Sequence, residues 1–150
     1  MDPKDALHRL DRAPWLKTAE PFFVALGGEN GKTRAVGGIV RDTLLGIARS
    51  ATDLDLATQL LPETVIDLAR RAGLAAYPTG LDHGTITLVA GDAKAEVTTL
   101  RRDVETFGRH ASVQFGTDWT ADAERRDFTM NALYCDAGGE LFDPLGGLED

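Results

Sequence analysis

Asp53-Leu54-Asp55-Leu56-Ala57 lies near the middle of the chain, and polar and apolar residues alternate from 52 to 57. That period of two is the mark of a half-buried strand, dry on one face and wet on the other. Asp53 and Asp55 therefore project from the same face. Two carboxylates held so close repel unless a positive charge lies between them. A hard divalent cation answers that need, and Mg²⁺ bound by two carboxylates plus substrate phosphates is a common arrangement. A solvated strand end carrying two acids is the competing reading, and the pair alone does not exclude it.

Working upstream, Gly37-Gly38-Ile39-Val40-Arg41-Asp42 follows a short strand predicted at 33–36. The glycines open a helix predicted at 39–45 and closed by Gly46. A Gly-Gly turn at that point offers backbone N–H groups to an anion. Arg41, in the first turn, has the reach and the charge for a phosphate oxygen. Taken alone, this is also an ordinary strand–helix turn with a surface arginine. Glycines suited to phosphate, followed about a dozen residues later by paired acids, favour a nucleotide–metal site.

Downstream, Lys94-Ala95-Glu96-Val97-Thr98 alternates again. If its strand neighbours 52–57, Glu96 completes a carboxylate triad of the kind used in two-metal phosphoryl chemistry. Otherwise Glu96 is an exposed strand residue. Arg125-Arg126-Asp127-Phe128-Thr129-Met130-Asn131 sits on a predicted helix at 121–131. Adjacent arginines there point in different directions. One can face the site while the other pairs with an acid such as Glu124 or Asp122. Asp127 and Asn131, four apart, share a face and suit a ribose hydroxyl; a solvated charged helix is the alternative. His83 reads as a loop histidine, and no Ser or Cys has a setting for nucleophilic catalysis.

The chain has 150 residues, about one domain. Sixteen Lys and Arg against 24 Asp and Glu give a net charge of −8, with 43% hydrophobic and 27% charged residues. That composition is too apolar for disorder. The negative balance argues against a stand-alone nucleic-acid binder, which needs surplus Lys and Arg to displace counterions. Cys135 is the single cysteine, which excludes a disulfide scaffold and a cysteine zinc site and points to a reducing compartment. The apolar run Phe22-Phe23-Val24-Ala25-Leu26 is too short for a membrane span or a signal core. The acids Asp2, Asp5, Asp11 and Glu20 suit no leader, so a cytoplasmic protein without a membrane partner is expected.

The remaining elements follow from periodicity and punctuation. Residues 3–28 read as helical, with Pro14 opening a segment and Pro21 kinking or dividing it. A helix is predicted at 58–72, with Pro62 near its start and Gly73 after its end. Strands are predicted at 75–78, 85–89 and 95–100, with a hairpin turn at Gly91-Asp92. Residues 101–120 read as a polar, irregular, mobile loop. Two short strands, 133–135 and 141–142, flank the turn Ala137-Gly138-Gly139. The end, Gly146-Gly147-Leu148-Glu149-Asp150, reads as cut, without a packing element.

These motifs in this order resemble the signature of class II tRNA nucleotidyltransferases (CCA-adding enzymes) and bacterial poly(A) polymerases, within the polymerase-beta-like nucleotidyltransferases. The resemblance runs from Val36–Gly46 and Thr52–Thr58 through His83-Gly84-Thr85, Glu96–Arg101 and Arg125–Leu133 to Asp143-Pro144-Leu145-Gly146-Gly147. It implies an α/β head domain, a mixed sheet flanked by helices, over 33–150, with residues 1–32 as a helical segment packed on it. It implies metal ligands at Asp53 and Asp55, a third catalytic carboxylate at Glu96, and nucleotide contacts at Gly37, Gly38, Arg41, Arg126, Asp127 and Asn131. The implied ion is Mg²⁺, with Mn²⁺ as a substitute, and the implied partners are CTP, ATP and the 3′ end of tRNA or another RNA. Members continue into neck, body and tail domains that read the base and grip tRNA, so this stretch alone is expected to be weakly active or inactive. Poly(A) addition shares these motifs. A non-catalytic nucleotide- or RNA-binding module is the rival from another class.

Overall fold

The computed structural model describes residues 2–47, 53–106, 110–126 and 131–149. Two helices come first, α1 (Pro3–Asp11) and α2 (Trp15–Ala25). The division falls at residues 12–14 rather than at Pro21. A residue before proline is pushed out of the helical region, so Ala13 cannot carry α1 into Pro14. Helix α2 instead runs through Pro21. The backbone cost of an interior proline is about 3 kcal/mol, and Phe22 and Phe23 beside it are buried in the main core. Asp2 caps α1, accepting from the Lys4 N–H at 3.0 Å.

Strand β1 (Thr33–Val36) leads into α3 (Gly38–Leu44), β2 (Asp53–Thr58) and α4 (Pro62–Arg71). Helix α4 starts at Pro62, not at 58, because Thr58 belongs to the sheet. Its hydroxyl meets that of Thr33 at 2.9 Å in the core, and proline favours the first helical position. Next come β3 (Ala75–Gly80), β4 (Thr85–Ala90) and β5 (Ala93–Thr99). The segment predicted as a loop instead holds two strands: β6 (Arg101–Thr106) and β7 (His110–Phe115) pair antiparallel as a separate two-stranded ribbon. Helix α5 (Trp119–Glu124) starts earlier than the predicted 121–131, where Asp118 caps the Thr120 and Ala121 N–H groups, and ends at Glu124; positions 127–130 of the prediction lie outside the described residues. Strands β8 (Tyr134–Cys135) and β9 (Leu141–Phe142) finish the main sheet. The end does pack: Asp143 accepts from the N–H groups of Gly147 and Leu148, and Leu148 lies against the core.

The seven-stranded sheet has the order β3-β4-β5-β2-β1-β8-β9. It is mixed, since β2 and β5 run parallel and every other pair is antiparallel. Leu54, Leu56, Ile86, Leu88, Ala95, Val97, Ala35 and Cys135 join side chains of α1 to α4 in one core. The opposite face carries a smaller core of Val36, Ala57, Leu100, Trp119, Ala123, Ala132 and Tyr134. Beside it the Arg34 guanidinium is sandwiched 4.4 Å from the rings of both Trp119 and Phe142. Among the described residues its buried Nε and Nη1 make no hydrogen bond, so the ring faces take their place, and burial lowers its pKa. Among the described residues no helix is long and apolar enough to cross a membrane.

Candidate active site

The sheet brings the acids together through one register. Strand β2 lies parallel to β5 with Asp53 opposite Lys94 and Asp55 opposite Glu96. Alternation turns Leu54, Leu56, Ala95 and Val97 into the core and leaves Asp53, Asp55 and Glu96 exposed on the other face. Thr87 lies opposite Glu96 on the far side, extending the polar row.

Asp55 and Glu96 line a cleft of about 240 Å³ together with Gly37, Thr85, Thr98 and three arginines, Arg101, Arg125 and Arg126. Asp53 shares their face but lies outside that lining. Hard oxygen donors beside clustered guanidiniums form a divided site, with one part suited to a small hard cation and the other to phosphate oxygens. Among the described residues no three His, Cys, Asp or Glu side chains converge into a metal cage of their own. A donor set of this kind fits an ion that completes its shell from bound phosphates.

Gly37 joins β1 to α3 with φ +83° and ψ −143°, a conformation essentially reserved for glycine. The turn places Gly37 in the cleft lining and makes Gly38 the first residue of α3. The α3 arginine, Arg41, reaches across to Asn131 Oδ1 at 3.4 Å and pairs with Asp42 at 3.2 Å. Both partners lie outside the lining of the cleft. Asp127 lies outside the described residues. Helix α3 is fixed from behind: the Trp15 indole N–H donates to Thr43 Oγ1 at 2.9 Å, and Arg9 Nε donates to the Leu44 carbonyl at 3.1 Å.

The arginine pair does not divide between site and partner. Both side chains bond Asp122, Arg125 through Nε at 3.1 Å and Arg126 through Nη2 at 3.2 Å. Tyr134 donates its hydroxyl to the same carboxylate at 2.6 Å. Burial opposes the charge on Asp122, but the Tyr134 hydroxyl, both guanidiniums and the Arg101 N–H outweigh it and hold the carboxyl below its ordinary pKa. Burial first, then Asp122, pushes the Tyr134 phenol well above its ordinary value. Asp122 sits three and four residues before the arginines, a helical spacing legible in the sequence. Tyr134 carried no such signal.

The sequence model of the poly A polymerase head domain matches residues 33–150. The human protein named CCA tRNA nucleotidyltransferase 1, mitochondrial, is 43% identical over 136 residues, which is 90% of this chain and 30% of that protein. The CCA-adding enzyme of Bacillus cytotoxicus is 44% identical over 116 residues, 76% of this chain and 28% of its own. Among solved structures, the Bacillus stearothermophilus CCA-adding enzyme in complex with CTP superposes with a TM-score of 0.75 at 37% identity, covering 91% of this chain and 31% of that one. A tRNA nucleotidyltransferase complexed with a primer tRNA and an incoming ATP analogue gives 0.60 at 33% identity, over 91% and 36%. The chain thus spans about a third of the length of the relatives it matches.

Proposed function

The chain belongs to the poly A polymerase head-domain family, and from that premise we propose that it is the catalytic head of a template-independent RNA nucleotidyltransferase. In this reading it transfers CMP and AMP from CTP and ATP to the 3′ end of tRNA. Residues 33–150 are the head and residues 1–32 its helical buttress. Neck, body and tail domains supply the tRNA grip and the reading of the base. Relatives named for CCA addition support tRNA as the acceptor, as do solved relatives holding CTP, or a primer tRNA with an ATP analogue. Poly(A) addition is the second reading, distinguished by its product: a long A tract instead of C-C-A. The compartment proposed is the cytoplasm, and the lone buried Cys135 suits its reducing conditions.

The single observation that carries the reading is the register of Asp55 against Glu96, in a cleft shared with Gly37 and three arginines. Asp53, Asp55 and Glu96 would hold the divalent cations of a two-metal site, Mg²⁺ with Mn²⁺ as a substitute. When bound, these ions would neutralise phosphate charge and lower the pKa of the attacking hydroxyl. Gly37, Gly38 and Arg41 orient the triphosphate, and Arg126, Asp127 and Asn131 orient the nucleoside. The 3′-hydroxyl oxygen bonds the α-phosphorus, the bond to the β-phosphate bridging oxygen breaks, and pyrophosphate leaves while the hydroxyl proton passes to solvent. Preorganised charge, rather than a covalent intermediate, lowers the barrier.

The test uses the chain in its full-length context with a tRNA lacking its 3′-terminal C-C-A, plus CTP, ATP and Mg²⁺. Ordered addition of two C residues and one A is expected, and Asp55→Asn is expected to abolish it. Addition of a long A tract would favour the second reading. Undiminished addition by Asp55→Asn would remove the catalytic one.

A further inference from the structure

We propose that Asp122 is the positioning residue of the nucleotide site: it fixes the guanidiniums of Arg125 and Arg126, and the backbone at Arg101, as one wall of the cleft and so sets where the incoming nucleotide lies. The inference rests on reading that cleft as a nucleotide site. The three arginines are the cations of the cleft lining; Asp122 bonds the guanidiniums of Arg125 and Arg126 and the backbone N–H of Arg101. Oδ1 accepts from Arg125 Nε at 3.1 Å and from the Arg101 backbone N–H at 3.1 Å. Oδ2 accepts from Arg126 Nη2 at 3.2 Å, from Arg126 Nε at 3.4 Å and from the Tyr134 hydroxyl at 2.6 Å. The carboxylate is 1% exposed, so water does not compete for these contacts.

The support behind it is rigid. Tyr134 is fully buried in the smaller core, edge-on to Trp119 with ring centroids 5.1 Å apart. Its ring also lies 5.7 Å from the Arg126 guanidinium. Arg126 is thus held by its charge and by its flat face at once. A buried ion cluster is a poor device for stability alone, because desolvation offsets most of the attraction and apolar packing would serve as well. A cluster whose every basic member faces one cleft is better explained by orientation. A planar guanidinium presents its remaining donors in a fixed fork only when its own plane is fixed.

Charge and position predict opposite signs. Asp122→Asn removes a negative charge behind three cations, so electrostatics alone predicts tighter triphosphate binding. Loss of position predicts weaker binding and slower transfer. The experiment measures KM and kcat for CTP and ATP on the tRNA acceptor, using the full-length chain and its Asp122→Asn, Asp122→Glu and Tyr134→Phe variants, with circular dichroism for the fold. For Asp122→Asn the expected result is a rise of about tenfold in nucleotide KM and a fall of about a hundredfold in kcat/KM, since small misplacements cost that much. Asp122→Glu should recover part of the loss. An unchanged or lowered KM in a folded Asp122→Asn overturns the proposal. If that variant fails to fold, Tyr134→Phe decides: it keeps the carboxylate, is expected to raise nucleotide KM about threefold, and overturns the proposal if KM does not move. An unmutated chain that neither binds nor transfers nucleotide refutes the underlying reading and this inference with it. An active unmutated chain with indifferent variants refutes this inference alone.

Discussion

Gly37→Ala isolates the turn that joins fold to site. At φ +83° and ψ −143°, a side chain is strained whatever the space around it. Among the described residues an added Cβ would meet no heavy atom within 4 Å, so the cost is one of backbone conformation. That strain is of order 1–3 kcal/mol, and the stiffer unfolded chain offsets roughly 0.4–1 kcal/mol of it. The net loss expected is about 1–2 kcal/mol, a fall in Tm of about 2–8 °C at this chain length. If the backbone relieves the strain by rotating, the Gly37 carbonyl that receives the Arg41 N–H at 3.1 Å moves with it, and the start of α3 leaves the cleft edge. Urea titration and thermal melting read the stability; calorimetric titration with CTP and Mg²⁺ reads the site. Gly73→Ala is the control, since Gly73 has φ +82°, equal space, and a place after α4, whose buried residues pack in the main core on the other face of the sheet. It should lose similar stability and keep CTP affinity. A Gly37→Ala protein as stable as its parent, or one that matches Gly73→Ala in both measurements, would show that the Gly37 conformation does not join the fold to the site.

Tyr134→Phe should cost about 1.5–3 kcal/mol in urea unfolding, the range for a hydrogen bond to a charged group. Asp122 keeps its other donors, which favours the low end. Because the folded carboxyl of Asp122 lies below its ordinary pKa, its stabilisation is present above the unfolded value and is lost as pH falls through the folded one. Acid titration of stability should therefore fall less steeply for Asp122→Asn than for the parent; parallel curves would contradict this. Trp15→Phe removes the indole donor to Thr43 and should cost roughly 0.5–1.5 kcal/mol for the bond alone, plus a packing loss at a site only 3% exposed. No change in urea midpoint would show that the contact does not hold α3.

Local pattern made much of this legible. Alternation at 52–57 set the face of the acids, and the glycine pair marked the turn into α3. Register was less accessible. That β2 lies parallel to β5 with Asp55 opposite Glu96 depends on packing between segments some forty residues apart, so the triad remained conditional in the sequence. The ribbon β6–β7 was only half legible: in β7 Ala111, Val113 and Phe115 alternate with polar residues, a period of two that was open to reading. Strand β6 holds one apolar residue, Val104, and backbone pairing leaves no mark on composition. The break before Pro14 was open to inspection, since the residue preceding a proline resists helix; Pro21 drew attention instead because interior prolines usually disrupt. Asp122 was visible at helical spacing from the arginines, but its gathering of both of them, together with Tyr134, arises from the tertiary approach of α5 to β8.

The most direct test of the central claim is calorimetric titration of CTP into the protein with and without Mg²⁺, repeated on Asp53→Ala/Asp55→Ala. If these carboxylates hold the ion that meets the triphosphate, Mg²⁺ strengthens CTP binding in the parent and does nothing in the double variant. Equal CTP affinity with and without Mg²⁺ in the parent, or an undiminished Mg²⁺ effect in the variant, would contradict it.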